Sequence, residues 1–73
     1  MSEIDIYLKN IKTNIKKIRL EKNITRPNLS ALSGVPLRTI ENIESDKLST
    51  DPKITTLLKI VDALEITIND LYL

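Results

Sequence analysis

Residues 24–44 read Ile24-Thr-Arg-Pro-Asn-Leu-Ser-Ala-Leu-Ser-Gly-Val-Pro-Leu-Arg-Thr-Ile-Glu-Asn-Ile-Glu44, and this stretch decides the fold. Its Gly34 is the single glycine of the chain and lies between two short amphipathic segments. Thr25 is a good N-cap for the first, and Pro27 suits a first helical turn, where a missing N–H costs nothing. Leu29 and Leu32 are expected on one inward side. The segment must then stop at Gly34, which takes a positive φ without a Cβ penalty. Pro36 opens the second segment, whose Ile40 and Ile43 share a face.

Two helices joined by a short glycine-containing turn make a helix-turn-helix, an arrangement able to set its second helix into a DNA major groove. Working outward, Ser2 with Glu3 and Asp5 reads as a helix start, with acids on the positive end of the dipole. Ile4, Leu8, Ile11, Ile15 and Ile18 recur at spacings of four and three, giving one apolar stripe. Lys9, Lys12, Lys16 and Lys17 fall off that stripe and are expected in solvent. Unbroken to Lys22, this helix would be roughly 30 Å long, although Thr13-Asn14 could interrupt it. Asn23 tolerates the left-handed conformation that ends a helix.

Beyond the central stretch, Asp46 is placed to end the second helix, and Lys47 to Thr50 is a polar loop. Asp51-Pro52 reads as an N-cap followed by a first-turn proline. Ile54, Leu57, Leu58, Val61 and Leu64 form the stripe of a fourth helix, and Thr67 with Asp70 looks like a capping box for a short last one. The expectation is an all-α single domain over residues 1–73, with helices at about 3–22, 26–33, 37–45, 52–64 and 68–72.

Composition narrows the function. The 73 residues contain no cysteine and no histidine, which removes disulfides, thiol chemistry and the usual zinc sites. Two tyrosines and no other aromatic residue argue against stacking on single strands. There is no Gly-rich phosphate loop or spaced carboxylate pair, so neither an enzyme nor a cofactor is indicated. Net charge is only +1, but residues 1–26 carry seven Lys/Arg against three Asp/Glu, and residues 27–73 carry four against seven. A basic end able to meet phosphates and a more acidic end follow. No apolar run approaches a membrane span and no signal-peptide pattern opens the chain, so a cytoplasmic location is expected.

From Ile15 to Tyr72 the sequence resembles the phage repressor/Cro-type, or xenobiotic-response-element, helix-turn-helix family. The landmarks are Ile18-Arg19, Ile24-Thr25, Leu29, Ser33-Gly34-Val35, Thr39-Ile40 and Ile43-Glu44. Pro52, Leu57-Leu58-Lys59-Ile60, Ala63-Leu64 and Asp70-Leu71-Tyr72 follow in order. The resemblance implies a five-helix lambda-repressor-like domain that binds double-stranded DNA. It implies a phosphate contact from Arg26, base-addressing positions at Leu37, Arg38, Glu41 and Asn42, and a phosphate contact from Thr39. Lys47 and Lys53 fall where the family meets the DNA backbone, and Arg19 with Glu44 matches a structural ion pair. Three features depart from the pattern: Pro36 in place of a serine cap, Asp46 in place of a glycine, and a longer loop from Ser45 to Asp51.

Arg38 can bond guanine O6 and N7 together, Asn42 can pair with adenine, and Leu37 can touch a thymine methyl. Because one helix reads too few bases for genomic specificity, a homodimer on a palindromic operator is expected. Its interface is assigned to Ile66, Ile68, Leu71, Tyr72 and Leu73, with help from Ile4 to Leu8. A repressor is the leading expectation. An activator would need a polymerase-facing surface, for which Glu41, Asp46 and Asp51 are candidates. The alternative is an antitoxin or adaptor that uses the fold to hold a protein partner, in which Arg26 and Arg38 need not share a side with Asn42.

Overall fold

A computed structural model describes residues 2–45 and 52–71. It contains four α-helices, α1 (Glu3–Glu21), α2 (Arg26–Ser33), α3 (Leu37–Glu44) and α4 (Ile54–Ala63), followed by a 3-10 turn, Ile68–Leu71. The all-α expectation holds, but the expected fifth helix at 68–72 is this single turn. Its cause is local. Asp70 Oδ2 accepts from the backbone N–H of Thr67 at 2.8 Å and from its hydroxyl at 3.1 Å. The Asp70 N–H then donates to the Thr67 carbonyl at 3.1 Å, an i to i+3 bond that tightens the coil.

The starts and stops of α1 and α2 follow their capping residues. Ser2 and Asp5 form a reciprocal capping box, each side chain accepting from the other's backbone N–H at 3.3 Å. At the other end Asn23 takes φ 58, with Asn23 N–H on the Leu20 carbonyl and Ile24 N–H on the Arg19 carbonyl, both at 3.0 Å. That is a Schellman closure. The end of α4 repeats it with Glu65 at φ 57, a left-handed position that glycine or asparagine usually fills. α1 is unbroken at Thr13-Asn14. Instead the Asn14 amide donates to the Leu71 carbonyl at 2.6 Å and ties the 3-10 turn to α1.

α4 begins later than expected. Its N-cap is Lys53, which makes no side-chain cap bond, and Pro52 precedes the helix rather than opening it. The Asp51 cap, the Asp46 stop, Lys47 and the 45–51 loop lie, wholly or largely, outside the described residues.

The core draws on every element: Ile11 and Ile15 of α1, Leu29 of α2, Val35 of the turn, Ile40 and Ile43 of α3, the inner face of α4, and Leu71. Two stripes are corrected by it. On α4 the buried face is Leu57, Ile60, Val61 and the adjoining Leu64, while Ile54 and Leu58 are exposed. On α2 only Leu29 is buried and Leu32 points to solvent, because an eight-residue helix packed along one line covers a single row. Lys12, expected in solvent, is buried at 6% exposure. Its position one residue after Ile11 puts its stem beside the core, where long aliphatic stems pack readily.

Candidate nucleic-acid interface

The turn between α2 and α3 sets the pose of α3. Gly34 has φ 76, and apart from its chain neighbours no atom lies within 4 Å of where a Cβ would sit, so it is the backbone conformation alone that favours glycine here. Two serines then pin the turn. The Ser30 hydroxyl donates to the Val35 carbonyl at 2.6 Å, and Ser33 Oγ accepts from the Val35 N–H at 3.1 Å. Val35 itself is buried. The sequence marked Ser33 only as part of the Ser33-Gly34-Val35 landmark and did not single out Ser30, although hydroxyls just before a glycine turn are a usable signal. Pro36 is the N-cap of α3, and its carbonyl accepts from the N–H groups of Thr39 and Ile40.

α3 divides sharply. Ile40, Ile43 and Glu44 are buried, whereas Leu37, Arg38, Glu41 and Asn42 are exposed and Thr39 is half-buried. Arg38 and Asn42, four residues apart, share one outward face. Among the described residues neither side chain makes a hydrogen bond or ion pair within the chain. A flat row of unengaged donors and acceptors on a helix anchored by its opposite side suits reading of base edges.

That anchoring is ionic as well as apolar. Arg19 meets Glu44 in a fork, Nε to Oε2 at 2.7 Å and Nη2 to Oε1 at 2.9 Å. The two side chains are 6% and 0% exposed. A third guanidinium bond, from Nη1 to the Ile24 carbonyl at 2.8 Å, holds the approach to α2. Arg26 adds its Nε to Glu44 Oε1 at 3.0 Å. Burial pulls the Glu44 carboxyl upward, but hydrogen bonds and charge from Arg19 and Arg26 outweigh it and hold the group below its ordinary 4.5.

The Arg19–Glu44 pair is as expected, while its extension to Arg26 is not. Arg26 keeps 40% of its side chain exposed and uses one of its five N–H donors on Glu44. The remaining nitrogens stand at the N-terminal end of α2, available to an anion. Lys53 is exposed at the start of α4.

The residues assigned to dimerisation fare differently. Leu71 is 0% exposed within a single chain, so it fills its own core and offers nothing to a partner. Ile66 packs against that core and is half-buried, as is Ile68. Tyr72 and Leu73 lie outside the described residues. Ile4, Ile6 and Tyr7 are exposed on α1. No helix among the described residues is long and apolar enough to cross a membrane.

A helix-turn-helix family model matches residues 15–71, which takes in the Arg19–Glu44 pair, the pinned turn, all of α3 and the 3-10 turn. No curated protein and no solved structure matches the chain. The match covers most of the sequence and coincides with the unit built above, so the chain belongs to the Cro/C1-type helix-turn-helix family of DNA-binding, non-enzymatic regulators.

Proposed function

We propose that the protein is a sequence-specific transcriptional repressor that sets α3 into the major groove of a palindromic operator as a homodimer. Arg38 and Asn42 read base edges, Leu37 touches a thymine methyl, and Arg26, Thr39, Lys47 and Lys53 meet phosphates. The observation that carries this reading is the outer face of α3, exposed and unengaged, on a helix whose inner face ends in a buried carboxylate. Glu41, three residues after Arg38, is also exposed, and there it accepts from cytosine or stays in solvent. Repression follows from occupancy alone and asks nothing more of the surface.

The alternative, an antitoxin or adaptor that mainly grips a protein, has less support. It gives no reason for Arg38 and Asn42 to share one outward face, with Arg26 half-exposed at the start of the preceding helix. Selection from randomised duplexes tests the choice. The expected product is an inverted repeat whose half-sites are centred about 10 base pairs apart. Recovery of no enriched sequence would remove the repressor reading.

A further inference from the structure

We infer that Glu44 is a positioning residue for DNA binding: from inside the fold it holds the Arg26 guanidinium by Nε and leaves the Nη1/Nη2 end to grip a phosphate. This deepens the phosphate contact proposed above for Arg26 and rests on it.

The Glu44 carboxylate accepts from Arg19 at 2.7 and 2.9 Å and from Arg26 Nε at 3.0 Å. Arg19 already bonds both of its oxygens, Nε to Oε2 and Nη2 to Oε1, so the carboxylate does not need Arg26 in order to be buried. A pair with one half-exposed partner adds little stability. The consequence of the third bond falls on Arg26 itself, whose long side chain is given one orientation.

That orientation suits an anion. The guanidinium is planar, and a bond through Nε fixes its plane while leaving the end-on pair of nitrogens free. Among the described residues Nη1 and Nη2 of Arg26 make no bond. Two parallel donors of this kind match two oxygens of one phosphate. Charge favours the same occupant. Two guanidinium groups share one carboxylate, so the cluster keeps one positive charge in excess. Arg19 and Glu44 are 6% and 0% exposed and Arg26 is 40% exposed, so the excess is presented at Arg26.

The bond also joins two elements. Arg26 is the first residue of α2 and Glu44 the last of α3. A phosphate held by Arg26 is thereby tied to the helix that carries Arg38 and Asn42, and phosphate contacts are what set the register of a reading helix. The Arg19 fork fixes the carboxylate in turn. Because the guanidinium is held before DNA arrives, less side-chain freedom is lost on binding. A lysine at this position could not do the same, since its single nitrogen would have to choose between Glu44 and the phosphate.

The test is a double-mutant cycle on affinity for the duplex enriched from the randomised pool, at fixed salt, with circular dichroism confirming that each protein is folded. In the wild type Arg26→Ala is expected to cost about tenfold, the worth of a hydrogen bond to a charged group. In the Arg19→Met, Glu44→Leu background, which lacks the carboxylate, the same change is expected to cost at least about threefold less. Removing that ion pair leaves net charge unchanged, so an Arg26 that acts by charge alone would cost the same in both backgrounds. An equal or larger cost in the second background overturns the positioning role and leaves the phosphate contact standing. Arg26→Lys in the wild type alters no core residue and decides the matter even if the double variant fails to fold. It keeps the charge and therefore the salt slope, yet is expected to lose at least about threefold in affinity. A lysine variant that binds as tightly as wild type overturns the inference. If Arg26→Ala itself binds as tightly as wild type, the phosphate contact fails and the inference with it.

Discussion

Removing the Glu44 carboxylate is expected to cost this domain a large part of its stability. In Glu44→Ala the Arg19 guanidinium, 6% exposed, loses two bonds of 2.7 and 2.9 Å and keeps only the Ile24 carbonyl. Breaking one side of a buried pair in this way costs about 3–5 kcal/mol, because the remaining charge cannot reach water. A chain of this length has about 4–11 kcal/mol in total. At about 4–8 °C per kcal/mol the melting temperature falls by at least about 12 °C. Urea unfolding followed by circular dichroism measures the loss.

A companion variant isolates the cause. Arg19→Met with Glu44→Leu removes both charges and is expected to recover most of the stability. Arg26→Ala, whose side chain is part-exposed, costs under about 1 kcal/mol. If Glu44→Ala costs no more than about 1 kcal/mol, the pair behaves as a surface ion pair and the account of how α3 is held is wrong.

The same carboxylate gives a pH dependence of defined sign. Its folded value lies below 4.5, so its contribution is complete above that pH and is lost as pH falls through the folded value. The stability gap between wild type and Glu44→Gln is therefore expected to shrink on acidification below pH 4.5, as urea titrations at a series of pH values would read. Gly34→Ala is expected to cost about 1–2 kcal/mol in the same assay, since a Cβ meets open space and only the φ of 76 is penalised. Arg26→Ala is expected to lower affinity for all duplexes alike and to reduce the slope of log affinity against log salt by about 1.

How far the sequence carried the fold is seen at its helix ends. Ser2 with Asp5, Thr25, Asn23 and Gly34 act locally, through their own side chains or φ, and each is where its chemistry demands. The inward face of α4 was less legible. Ile54, Leu57, Leu58, Ile60 and Val61 place apolar groups around much of the helix, so periodicity cannot choose between faces. Packing against the shared core makes that choice, burying Leu57, Ile60 and Val61 and leaving Ile54 and Leu58 outside. Lys12 misled for a similar reason, its charge hiding a long apolar stem.

At the site, the outward set on α3 was legible because Ile40 and Ile43 fix which side is in. The bond from Arg26 to Glu44 depends on how α2 meets α3 in space, which spacing along the chain does not encode, whereas the serine pins on Val35 are local and could have been read from it. Leu71 was misassigned because a terminal leucine reads equally as core or interface. In the structure its carbonyl accepts from the Asn14 amide of α1 and its side chain is buried.

The central claim is that the exposed face of α3 reads bases, and Arg38→Ala tests it most directly. Affinity of wild type and variant is measured for the selected operator and for a scrambled duplex of equal length and salt. Arg38 is exposed and outside the core, so the variant is expected to fold normally. Its loss on the operator is expected to be about 1–3 kcal/mol, with relaxed preference at one base pair per half-site and little change on the scrambled duplex. Equal operator affinity for the two proteins would contradict the claim.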